Sequence, residues 1–95
     1  MDLLTPLELG HLHLRNRIVM APMTRSRAGT DAVPTALMTE YYRQRASAGM
    51  IISEGVAPSA NGLGYCRTPG IYTAEQVAAW GEVTAAVHAA GGCIV

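Results

Sequence analysis

The sequence predicts an α/β fold in which parallel strands are covered by helices, either a (β/α) barrel or a doubly wound sheet. Three observations carry this. Short apolar runs suited to buried strands alternate with two helical patterns behind an N-terminal hairpin. The helix-to-strand links are one or two glycines, whereas the strand-to-helix links are long, polar and rich in Gly, Pro, Thr, Arg and Tyr, as on the ligand face of such folds. Charge is also sparse, at 15% of 95 residues. That is low for a free-standing small domain, whose high surface-to-volume ratio calls for polar cover. The chain therefore reads as part of something larger.

In chain order, Leu7 to Leu14 alternates apolar and polar residues around Gly10, the pattern of a short hairpin with one buried face. Ile18-Val19-Met20-Ala21 is a continuous apolar run fit for a buried strand. A polar loop follows from Pro22 to Val33, after which Pro34 suits the first turn of a helix. Leu37, Tyr41 and Ala48 recur at helical spacing as its apolar stripe, with Gly49 as the stop. Met50-Ile51-Ile52-Ser53 is a second strand, and residues 54–72 form a long loop punctuated by Gly55, Pro58, Gly62, Gly64, Pro69 and Gly70. Thr73 and Gln76 form a capping box for a helix whose stripe is Val77, Trp80, Val83, Thr84 and Val87, with Glu75 and Glu82 opposite. Gly91-Gly92 ends it, and Cys93-Ile94-Val95 begins a third apolar run. No repeat or low-complexity linker interrupts residues 1–95, which form one segment.

Composition narrows the function. Lys+Arg 7 against Asp+Glu 7 excludes a polyanion-binding arm or an acidic tail, and 5% aromatic residues without Phe exclude a base-stacking platform. No apolar run reaches the roughly 18 to 20 residues that span a bilayer, and MDLLTPLELG has no basic region before an apolar core. Neither nucleic acid nor a membrane is expected as a partner, and a cytoplasmic setting is expected. Cys66 and Cys93 have no metal-type spacing and are too few for a disulfide scaffold. They read as small residues, with a reactive thiol the other option for Cys66. His11, His13 and His88 each lack a second ligand at metal spacing, so no metal is expected.

Any site is expected from residues 22–33 and 54–72. At Ala21-Pro22-Met23-Thr24-Arg25 the backbone leaves the first strand and its polar groups become free to meet a ligand. Thr24 offers a hydroxyl, and Arg25 or Arg27 a cation for a phosphate or carboxylate, although on spacing alone a surface turn with solvated arginines is the preferred reading. Glu54 follows the second strand, where carboxylates often act. Its structural reading, a pair with an arginine such as Arg17, is preferred, because Gly55-Val56 suggests close backbone approach. Tyr65 lines a pocket or packs on its own loop. Gly62-x-Gly64 lacks a third glycine and does not open a helix, which weakens a dinucleotide-fold reading.

These stretches resemble the Old Yellow Enzyme family of FMN-dependent oxidoreductases. The resemblance runs through Asn16-Arg17-Ile18-Val19-Met20-Ala21-Pro22-Met23-Thr24-Arg25, Glu40-Tyr41-Tyr42-Arg43-Gln44-Arg45-Ala46 and Gly49-Met50-Ile51-Ile52-Ser53-Glu54. It continues through Gly64-Tyr65-x-x-Thr68-Pro69-Gly70-Ile71-Tyr72 and Gln76-x-x-Ala79-Trp80, covering essentially the whole chain. It implies the N-terminal part of a (β/α)₈ TIM barrel with a short hairpin in front, truncated at the third strand. A full barrel takes about 250 residues.

By this resemblance FMN is the cofactor and NAD(P)H the reductant, and the substrate is a small molecule with an activated, α,β-unsaturated alkene. Ala21, Pro22, Met23 and Thr24 would lie against the flavin, Thr24 donating to a ring carbonyl. Threonine there rather than cysteine resembles the ene-reductase subgroup. Gly55 would stand where relatives commonly have Ala, and Tyr65 would face the substrate. The family's substrate-holding His-His or His-Asn pair, proton-donating tyrosine, flavin-contacting glutamine and phosphate-binding arginines would all fall after Val95, so the chain alone is expected to be inactive. The rival reading is a non-catalytic fragment or complementation module that needs another polypeptide to complete the barrel. A different (β/α) barrel enzyme with a phosphorylated ligand is disfavoured by the matching string.

Overall fold

Gly10 has φ +60°, and only a residue without a side chain enters that region freely. The chain reverses there over two residues, joining β1 (Leu7–Leu9) to β2 (Leu12–Leu14) antiparallel, with Leu7 opposite Leu14 and Leu9 opposite Leu12. The structure is a computed structural model that describes residues 2–95. The hairpin buries less than its alternation predicts, because of its apolar positions only Leu14 is fully enclosed.

The two apolar runs form β3 (Val19–Met20) and β4 (Met50–Ile51), paired parallel with Val19 beside Met50 and Met20 beside Ile51. The third run joins on the far side of β4. The Ile51 N–H donates to the Cys93 carbonyl at 2.8 Å, and the Val95 N–H to the Ile51 carbonyl at 2.9 Å. Ile51 and Ile94 are parallel bridge partners. Three parallel strands in chain order, each separated by a helix, are what the alternation requires.

Helix α1 (Ala36–Arg43) is capped by Thr35, whose hydroxyl accepts from the Met38 N–H. Its buried face differs from the expected one. Met38, Tyr42 and, in the turn beyond, Ala46 are enclosed, whereas Leu37 is 62% exposed. Both series have helical spacing, and the position of the sheet decides between them. The helix also stops earlier, at Arg43, and Gly49 serves another purpose than terminating it. A Cβ at Gly49 would fall on the Asn16 carbonyl, so glycine is what lets β4 start beside the segment entering β3.

Helix α2 (Ala74–Ala89) has both halves of the expected capping box, Thr73 and Gln76. It ends at Gly91, with φ +83°, where the Gly92 and Gly91 N–H groups donate to the Val87 and His88 carbonyls, each at 2.9 Å. Trp80, Val83 and Val87 are buried as expected. Val77 is 53% exposed, and Gln76 takes the inner position instead. The Gln76 side chain is fully used there. Its oxygen accepts from the Tyr72 and Thr73 N–H groups, and its Nε2 donates to the Asp31 carbonyl at 3.0 Å.

The core lies between sheet and helices. Ala28, Met38, Tyr42, Ala46, Ile51, Trp80, Val83 and Val87 form one cluster, with Met20 and Ile94 packed on it. Burying each of its large aliphatic side chains is worth about 1.5 to 3 kcal/mol. Met20, Ile51 and Ile94 come from the three neighbouring strands and face the helices, so alternation along β3 turns Val19 to the opposite face of the sheet, where it is 44% exposed.

Candidate functional site

Because β3 and β4 are parallel and in register, the chain leaves both at the same edge, and residues 21–24 depart beside residues 52–55. The two loops that follow are tied together. The Ala28 N–H donates to the Arg67 carbonyl at 3.0 Å, and the Arg67 Nε donates back to the Ala28 carbonyl at 3.1 Å. The Gly70 N–H donates to the Ala32 carbonyl at 2.8 Å. Trp80 holds the same stretch from below through its Nε1, 3.1 Å from the Gly70 carbonyl. Ser26, Ala32 and Arg67 have φ of 56°, 58° and 54°, so among the described residues the left-handed ones other than glycine all fall in these two loops. Backbone held there by its surroundings is a common property of binding loops.

Between the loops lies a cleft of about 260 Å³ lined by Thr24, Gly55, Val56, Gly64, Tyr65 and Thr68, among others. The structure thus brings together Thr24, Gly55 and Tyr65, which are distant in sequence. Nothing lies within 4 Å of where a Cβ on Gly55 would stand. Tyr65 is 76% exposed and forms the outer wall. Ala21 and Pro22 are exposed at the strand exit and outside this cleft. Met23 turns into a separate groove with Ile18, Met20, Arg45 and Ala48.

The Arg25 and Arg45 guanidiniums both stand over the Tyr41 ring, 5.1 Å and 3.8 Å from its centroid, while Arg27 donates to the Arg25 carbonyl. These arginines border α1 and do not line the Thr24 cleft.

Glu54 corrects the expectation of an arginine partner. It is 3% exposed, and its carboxylate accepts at Oε2 from the Tyr42 hydroxyl at 2.7 Å. The same hydroxyl accepts from the Glu54 N–H at 3.0 Å. Arg17 instead donates to Thr5 Oγ1 and to the Pro6 carbonyl, each at 3.0 Å, near the hairpin. Burial pushes the Tyr42 phenol well above its ordinary range, and donation to the Glu54 carboxylate raises it further. Sequence reasoning gave Tyr42 no such role. The signal available was the Met38-Tyr42-Ala46 series at helical spacing, which offers Tyr42 as an inward residue, and a buried phenol needs a polar partner.

The fold and this cleft define the class: parallel β/α units with a cleft at the carboxyl ends of the strands. Residues 2–95 match the NADH:flavin oxidoreductase / NADH oxidase family. The chain belongs to that family. The chanoclavine-I aldehyde reductase of Penicillium roqueforti is 52% identical over 94 residues, 97% of this chain and 26% of that protein. A probable flavin mononucleotide-dependent alkene reductase of Leishmania infantum is 45% identical over 92 residues, 97% of this chain and 25% of that protein. The solved Old Yellow Enzyme homologue of Zymomonas mobilis superimposes with a TM-score of 0.95 at 53% identity, covering 99% of this chain and 26% of that one. The chain therefore spans about a quarter of the length of the relatives it matches. No helix among the described residues is long and apolar enough to cross a membrane.

Proposed function

We propose that residues 1–95 are the N-terminal portion of an FMN-binding TIM-barrel domain, and that the complete protein is an ene-reductase of the Old Yellow Enzyme type. The observation that carries this is the cleft at the shared exit of β3 and β4, where Thr24, Gly55 and Tyr65 meet. Its residues fit a flat heterocycle: open space stands over Gly55, a hydroxyl is available at Thr24, and Tyr65 forms an outer wall. When bound, FMN supplies the two-electron carrier that takes hydride from NAD(P)H and passes it to the β-carbon of an α,β-unsaturated substrate.

The chain's own residues then have distinct tasks. Thr24 would donate to a ring carbonyl and so favour the negative charge that accompanies reduction. Ala21, Pro22 and Met23 lie at the strand exit beside the cleft rather than in it, so their part would be to present backbone to the edge of the ring, Pro22 stiffening that exit, while Gly55 would leave room for it. Tyr65 offers its phenol on the substrate side.

A second reading is supported by the apolar residues at the free side of β3. Ile18, Val19 and Met23 are exposed, as befits a surface covered by further β/α units, so the chain alone is an inactive module awaiting the rest of a barrel. One experiment separates the readings. The 95-residue chain and the complete protein are each mixed with FMN, and flavin absorbance and NADPH-driven reduction of cyclohexenone are followed. Turnover by the complete protein only is expected. Turnover by the short chain alone would refute the module reading, and absence of bound flavin in the complete protein would refute the enzyme reading.

A further inference from the structure

We propose that Tyr42 and Glu54 are positioning residues of the cleft, a single hydroxyl on α1 fixing the turn from β4 into Gly55. The proposal rests on the FMN reading of that cleft and deepens it.

Gly55 cannot hold its own place. It has no side chain, no atom stands within 4 Å of its absent Cβ, and its backbone is the most permissive of any residue. Its position is set by its neighbours. On the downstream side Ala57 is fixed by two bonds to the returning loop: its N–H donates to the Pro69 carbonyl, and its carbonyl accepts from the Ile71 N–H, both at 3.0 Å. On the upstream side the residue held is Glu54, and Tyr42 holds it twice, by main chain and by carboxylate.

Tyr42 is suited to this. Its ring is 1% exposed and packs 5.3 Å from Tyr41 and 6.3 Å from Trp80, so the hydroxyl is carried on a fixed part of the core. That hydroxyl has one proton to give and lone pairs to accept with, and here donates once and accepts once. Glu54 depends on it. Among the described residues Oε1 has no hydrogen-bond partner, so the orientation of a buried carboxylate rests on the phenol alone. As a stabilising device this is poor, since a buried carboxylate with one partner loses more hydration than it regains. As a device for placing the next residue it is effective, because removing one oxygen releases the Glu54 N–H and carboxylate together. That leaves on that side the Ser53 N–H bond to the Val95 carbonyl at 2.8 Å and the Ser53 hydroxyl bond to the Glu54 carbonyl at 3.4 Å.

The test uses the complete FMN-loaded protein and the variants Tyr42→Phe, Glu54→Gln and Val83→Ala. Tyr42→Phe is expected to weaken FMN binding by about tenfold or more and to shift the visible flavin band and the reduction potential, the scale expected when a positioned group moves. Glu54→Gln keeps an acceptor for the hydroxyl and keeps the main-chain bond, and is expected to retain wild-type spectrum and potential. Val83→Ala opens the same core without removing either Tyr42–Glu54 bond and is expected to lower the melting temperature with no change at the flavin. If Tyr42→Phe fails to fold, Glu54→Asp takes its place. Its carboxylate is one methylene short of the hydroxyl, and the same spectral and potential shifts are expected. Wild-type affinity, spectrum and potential in Tyr42→Phe, or in Glu54→Asp where that variant stands in, overturn the proposal. So does a flavin change of equal size in Val83→Ala, which would mark general loosening. A wild-type protein that binds no FMN overturns the underlying reading as well, whereas one that binds FMN normally beside an unaffected Tyr42→Phe overturns the positioning role only.

Discussion

Gly49 and Gly55 flank β4 and are expected to respond in opposite ways to one added methyl group. A Cβ at Gly49 falls on the Asn16 main chain, with the Asn16 Oδ1 2.8 Å away, so backbone must move to admit it. Asn16 is itself committed, its Nδ2 donating to the Ser47 carbonyl at 2.9 Å and its Oδ1 accepting from the Ile18 N–H at 3.0 Å. Gly49→Ala therefore pushes apart the segments entering β3 and β4, and overpacking against fixed backbone costs about 1 to 3 kcal/mol. Gly55→Ala meets nothing within 4 Å and lies outside the left-handed region, so the lower chain entropy of the unfolded state favours it by about 0.4 to 1 kcal/mol. Urea unfolding of the two variants beside wild type, followed by circular dichroism, reads both midpoints. A lowered midpoint for Gly49→Ala and an unchanged or raised one for Gly55→Ala are expected. Equal destabilisation by both would refute the argument that close approach, rather than glycine as such, matters at Gly49.

Two further outcomes follow from the same bonds. Thr73→Ala removes the hydroxyl that accepts from the Gln76 N–H and should destabilise by about 1 kcal/mol in the same unfolding measurement, whereas Thr73→Ser should be close to neutral. Tyr42 carries a raised phenol pKa in the folded chain, so its contribution to stability is complete below the ordinary phenol value of about 10 and is lost as pH rises beyond it. Wild type should therefore lose stability between neutral and strongly alkaline pH more steeply than Tyr42→Phe, and parallel pH profiles would contradict the assignment.

Element order and type were legible in the sequence because each rests on local chemistry. Gly10 marks the hairpin, Thr73 with Gln76 marks the start of α2, and Gly91 marks its end; all three act within a few residues of themselves. The apolar stripes were less legible. Leu37-Tyr41 and Met38-Tyr42 are both helical pairs, and Val77 competes with Gln76, but which side faces the sheet is fixed by residues far along the chain. Gln76 is inside despite its polarity because the Asp31 carbonyl, 45 positions earlier, satisfies its amide. At the site, the strand exits and the two loops could be read from the sequence, since short glycine links and long polar ones differ in composition. The partner of Glu54 could not. Charge complementarity suggested an arginine, whereas the fold delivers a phenol from α1, and only the packing of that helix against β4 reveals it.

The proposed flavin site requires Thr24 to stand at the ring. The reduction potential of FMN in the complete protein, wild type against Thr24→Ala, tests this most directly. Loss of the donor should lower the potential and slow reduction by NAD(P)H while FMN remains bound. An unchanged potential and an unchanged reductive rate would contradict the placement of Thr24, and with it the cleft between β3 and β4 as the flavin site.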